Sequence, residues 1–141
     1  MDSERRYITQ LRISEMWVDV DDIFCVTYNV GGDVGIADAQ EMLHTIEIFR
    51  EKHHFDEHRL HYVLVDNRGV KSMARDARSY FAQANEVSMT GAVAIVVSSR
   101  VGEVRGNFFI YVGGPKYPTR LFTSREEAIE WLKMQQERQG R

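Results

Sequence analysis

HYVLVDNRGVKSMARDARSYFAQANEVSMTGAVAIVVSS, residues 61–99, holds two apolar runs separated by a segment of different periodicity. "HYVLVD" and "AVAIVV" are too continuous to alternate between a buried and a wet face, so they predict central strands covered by helices. Between them, Ala77, Tyr80, Phe81 and Ala84 recur at three- and four-residue spacing, the period of an amphipathic helix. Strand, helix and strand in that order predict a parallel pair joined by a crossover.

The pattern extends outward on both sides. Upstream, Ala39, Met42, Leu43, Ile46 and Phe49 form a helical stripe, with Asp38 favourably placed in the first turn. Before it, Tyr7–Glu15 and Met16–Val30 are rich in β-branched and aromatic residues, and "DVDD", Asp19–Asp22, reads as a solvated turn between two strands. "NVGGDVG", which precedes the first helix, reads as a plain turn. Downstream, "VGEVRGNFFIYVGG" predicts a third helix with Val104, Phe108, Ile110 and Tyr111 partly buried, and "PTRLF" a short strand beginning after Pro118. Ser124 followed by Glu127 is a capping box, opening a helix whose apolar side is Ala128, Ile129, Trp131 and Leu132. The expected fold is therefore α/β: an N-terminal β-hairpin followed by β-α repeats, with a mainly parallel sheet and helices packed on it. No linker or repeat interrupts it, so residues 1–141 read as a single domain with an ordered core of about 6–134 and a fraying polar tail.

Composition narrows the function classes. A chain of 141 residues, 43% hydrophobic, has enough apolar material for one core. A net charge of -3 provides no basic field for nucleic acid. The charged opening "MDSERRYITQ" and a longest apolar run of only Ala92–Val97 argue against a leader or membrane insertion and for the cytoplasm. Cys25 lies within "IFCVTY", where a thiol reads as a small buried hydrophobe without a catalytic role.

Candidate chemistry concentrates where parallel strands run out into the following helices. Those ends are Asp66–Ser72, Ser98–Arg100 and Thr123–Ser124, and they gather Arg68, Lys71 and Arg100 near Asp66 and the hydroxyls of Ser72, Ser98 and Ser99. Such a basic rim suits a phosphate or carboxylate. The partner- or anion-binding set is Asp66, Arg68, Lys71, Ser72, Asp76, Ser99 and Arg100. Ser72 is placed to cap the helix that follows, and Asp76 to favour its dipole. His53, His54, His58 and His61 cluster in sequence, but no Cys and no ordered His-Glu-x-x-His motif accompanies them, so a solvated helix end is expected and no metal or cofactor. Nothing spaces a nucleophile, base and orienting group together, which argues against an enzyme.

The succession "LVDNRGVKSMARDARSYFA", "AVAIVVSS" and "NFFIYVGGPKYPTRLFTSREEAIEWL" resembles the small bacterial STAS-like proteins, similar to the sporulation anti-sigma-factor antagonist and sometimes likened to SEC14-type domains. The resemblance runs from about the first strand to Leu132, and its most specific pieces are Asp66–Ser72 and Tyr117–Thr123. It implies a non-enzymatic regulatory domain that binds a protein partner. The alternative is a small-anion, nucleotide or lipid-binding domain using the ends of the parallel strands. In anti-sigma-factor antagonists a phosphoacceptor hydroxyl opens the helix after this strand, whereas Arg75 and Asp76 stand there in this chain. The resemblance therefore implies the contact surface without the phosphorylation switch. The surplus of large apolar residues in "NFFIYVGG" suits either a homodimer contact or a fully buried helix, and the sequence does not choose between them.

Overall fold

A computed structural model describes residues 5–56, 58–87, 89–100, 102–104 and 117–139. The N-terminal part contributes β1 (Arg6–Gln10), β2 (Ser14–Val18), β3 (Ile23–Tyr28) and the short β4 (Gly32–Val34). Helix α1 (Ile36–Lys52) follows, then β5 (His61–Asp66), β6 (Val70–Met73) and α2 (Arg75–Val87). The chain continues with β7 (Thr90–Val96), β8 (Thr119–Phe122) and α3 (Arg125–Arg138). Six strands form one sheet in the order β1-β2-β3-β5-β7-β8. The β1/β2 and β2/β3 pairs are antiparallel, and β3/β5, β5/β7 and β7/β8 are parallel. The fold is the expected α/β architecture with a mainly parallel sheet.

Two local readings change. The expected hairpin is a three-stranded meander, because Leu11–Ile13 already turns the chain: the Leu11 amide donates to the Ser14 carbonyl at 2.8 Å. "DVDD" then links β2 to β3, and it is not simply solvated. Asp19 is buried, and its Oδ1 accepts from the amides of Asp21 at 2.8 Å and Ile23 at 3.0 Å. A carboxylate that satisfies two turn amides can enter the core at modest cost. The helix expected over "VGEVRGNFFIYVGG" lies outside the described residues except at 102–104, which are helical, with Val104 exposed rather than partly buried.

The helices form where their stripes and caps direct. In α1, Ala39, Met42, Ile46 and Phe49 are buried, and Asp38 Oδ2 accepts from the Gly35 amide at 2.9 Å, closing the first turn. In α3, Ser124 Oγ accepts from the Glu127 amide at 3.3 Å, and Ala128 and Leu132 are fully buried. Alternation along the strands splits the interior in two. Val63 and Val65 of β5 join Phe24, Val26 and Val93 beneath α1 and α2. Tyr62 and Leu64 of the same strand join Cys25, Ala92, Ala94 and Val96 beneath α3. Cys25 is fully buried there, and burial pushes its thiol up to about 12, where it stays protonated at neutral pH.

Candidate functional site

The turn after β5 is built around its last residue. Asp66 is buried, and its carboxylate holds Arg68 in a fork, with Nε to Oδ1 at 3.0 Å and Nη2 to Oδ2 at 2.7 Å. The Arg68 amide donates to the same Oδ1 at 3.1 Å. Burial raises the Asp66 pKa, but hydrogen bonds and charge from Arg68 outweigh it and leave the carboxyl below its ordinary range.

The rest of "NRGVKSM" is not the open loop that its sequence suggests. Residues Val70–Met73 pair in parallel with Gly32–Val34 as a second, two-stranded sheet. It ties together the chain segments that leave β3 and β5. Gly69 makes the approach possible: its carbonyl accepts from the Gly31 amide at 2.8 Å, and a Cβ there would lie 2.6 Å from the Tyr28 carbonyl oxygen. On the outer surface, Ser72 Oγ donates to Asp33 Oδ1 at 2.5 Å. Ser72 is thus a strand residue bonded across β4/β6 rather than the cap of α2, which begins at Arg75. Lys71 is exposed and has no ion pair among the described residues, and Asp76 is exposed in the first turn of α2. Arg12, which sequence spacing did not reveal, extends the ledge. Its guanidinium grips Asp38 at 2.6 and 2.7 Å and donates to the Asp33 carbonyl at 3.1 Å, and it holds the Asp38 carboxyl below its ordinary range.

The ends of β5 and β7 are adjacent, with the Asn67 amide donating to the Val96 carbonyl at 2.9 Å. Ser99 and Arg100 nevertheless serve their own segment. Ser99 Oγ accepts from the Gly102 amide at 3.3 Å, and Arg100 pairs with Glu103 at 3.0 Å. Among the described residues no hydrogen bond or ion pair links Arg100 to the Asp66 group. Arg125, from the start of α3, also lowers the Asp66 pKa through its charge.

The histidines disperse. His53 Nε2 meets Asp22 Oδ1 at 2.8 Å, and the same carboxylate takes Arg6 at 2.8 Å and Arg59 at 3.0 Å. His61 is buried at the start of β5, stacked on Phe24, with ring nitrogens 3.1 Å from Arg50 Nη1 and from Thr90 Oγ1. Burial, with help from Arg50, lowers its pKa to about 3. Among the described residues no group of three or more His, Cys, Asp or Glu side chains could hold a metal ion.

A cavity of about 270 Å³ opens beneath α1 and α2, over the face of β5 and β7 that carries Val63, Val65, Val93 and Ile95. None of the seven candidate residues lines it. Among the described residues no helix is long and apolar enough to cross a membrane.

A family model described as a domain of unknown function (DUF7793) matches residues 16–136. A crystal structure of an uncharacterized protein from the DUF3478 family, with a SpoIIAA-like fold, from Shewanella loihica, superposes with a TM-score of 0.59 at 12% identity. The overlay covers 94% of this chain and 98% of that one, so the two share a fold, the STAS-like one. No curated protein matches the chain.

Proposed function

The chain belongs to the DUF7793 family, and from that membership and a STAS-like fold we propose a non-enzymatic regulatory module that binds a protein partner through the β4/β6 ledge. The contact set comprises Asp66, Arg68, Lys71, Ser72 and Asp76, with Ser99 and Arg100 at its margin. The observation that carries this reading is the second sheet. Pairing of β4 with β6 stiffens the turn into a surface on which Arg68, Lys71 and Ser72 stand exposed beside Asp33. A rigid ledge binds without the ordering cost of a mobile loop. Two further features favour binding over catalysis. The contact residues stand outside the cavity, and Asp66 is kept ionised by Arg68, which makes it a weak general base.

In this reading the module works in the bacterial cytoplasm and needs no cofactor, and self-association through residues 107–114, outside the described residues, is a further mode of contact. The test is a photo-crosslinking amino acid placed at Lys71 in host cells, with Glu126 on α3 as the control position. One reproducible adduct at Lys71, absent at Glu126 and lost when Arg68→Glu is added, is the expected result. Equal labelling at both positions would remove the ledge from the account.

A further inference from the structure

The cavity supports an inference independent of the ledge. We propose that it is a binding site for a small amphipathic carboxylic acid, with the apolar body lying on the sheet beneath α1 and α2 and the carboxylate at Arg78. Its floor is Val63, Val65, Val93 and Ile95, and Met42 and Ile46 of α1 close one side. These groups offer dispersion contacts and no hydrogen bonds, so they select hydrocarbon.

Size sets the class. At about 270 Å³ the space exceeds the roughly 150 Å³ of a dry cavity that takes benzene, and it falls just below the usual range for small-molecule pockets. A single-chain acid of about ten carbons suits it, whereas a two-chain phospholipid is too large.

Charge sets the head group. Arg78 is exposed, lines the cavity from α2 and has no ion pair among the described residues. A guanidinium without a carboxylate partner, at the edge of an apolar space, matches a carboxylate in geometry and sign. The wall also contains Asn67, whose buried Oδ1 finds no hydrogen-bond partner among the described residues. Buried acceptors in that state are few, and this one would welcome a donor such as a hydroxyl on the ligand. The opposite side of the sheet lacks this combination. There Gly91 lies under the ring of Tyr62, so closely that a Cβ would sit 2.6 Å from it.

The test is a titration of the full chain with decanoate, decanol and decylamine, followed by methyl NMR. Saturable shifts at Ile46, Val65 and Ile95, with intermolecular NOEs from decanoate to those methyls, are expected. Arg78→Glu should weaken decanoate about tenfold or more, the loss of one charge-assisted contact, and leave decanol within about twofold. Ile95→Phe, which fills the floor, should weaken both; if that variant fails to fold, the NOEs in the wild-type protein still locate the ligand. Absence of saturation up to the solubility limit, or NOEs confined to other methyls, would overturn the site. Equal binding of all three probes, unchanged by Arg78→Glu, would overturn its selectivity for an acid.

Discussion

The two faces of the central sheet are made by alternate residues of the same strands, yet they pack differently. Under α3 the fit is close: Ala92, Ala94 and Gly91 are small, the ring of Tyr62 lies against Gly91, and Leu132 of α3 packs into the same cluster. Under α1 and α2 the strands present Val63, Val65, Val93 and Ile95, and a cavity remains between them and the helices. Apolar composition is similar on both sides, so hydrophobicity alone does not distinguish a packed core from a binding face. Shape does, because dispersion contact falls away steeply once surfaces separate.

The sharpest way to break this contrast is to alter the packing on each side in turn. Leu132→Ala, at a fully buried position, is expected to cost about 4 kcal/mol in denaturant unfolding, the transfer loss plus a new cavity. Gly91→Ala should cost about 3 kcal/mol, since the ring of Tyr62 must move within the core. Ile46→Ala, whose side chain already borders open space, should cost only about 2 kcal/mol. Equal losses for Leu132→Ala and Ile46→Ala would show that the faces are equally packed.

Protonation supplies a second contrast, because β5 carries a titrating group at each end. His61, under α1, has a folded pKa of about 3 against an ordinary 6.5, so between these values the unfolded chain binds the extra proton. Stability should therefore fall as pH drops below 6.5, by up to about 1.4 kcal/mol per unit, and His61→Gln should flatten the part between pH 6.5 and 5. Asp66, at the other end of β5, has its pKa lowered, so its contribution is fully present above the unfolded carboxyl value and is lost as pH falls from there through the lowered folded one. Asp66→Asn is expected to cost about 1 kcal/mol at pH 7 and less at pH 3, as read by thermal unfolding at the two pH values.

Much of the architecture follows from local pattern. The continuous runs at residues 61–66 and 92–97, the stripe of α1 and the Ser124 cap each express a preference carried by neighbouring residues, and each is found in the folded chain, the second run as a strand over Thr90–Val96. The part of the candidate site that was legible is of the same kind: Asp66 and Arg68 are two residues apart, and their fork is a local event. What sequence could not supply depends on distant segments meeting. The β4/β6 pair brings Asp33 to Ser72, the Arg12–Asp38 grip spans 26 positions, and the cavity draws on every layer beneath α1 and α2. Histidines clustered within nine residues of the chain were sent to different surroundings, His53 to Asp22 and His61 to the core. Residue spacing and short-range sterics determined which segments became strands and helices. Only the packing of those elements decided which charges found partners and where the interior stayed open, because both depend on distances through space that the order of residues does not specify.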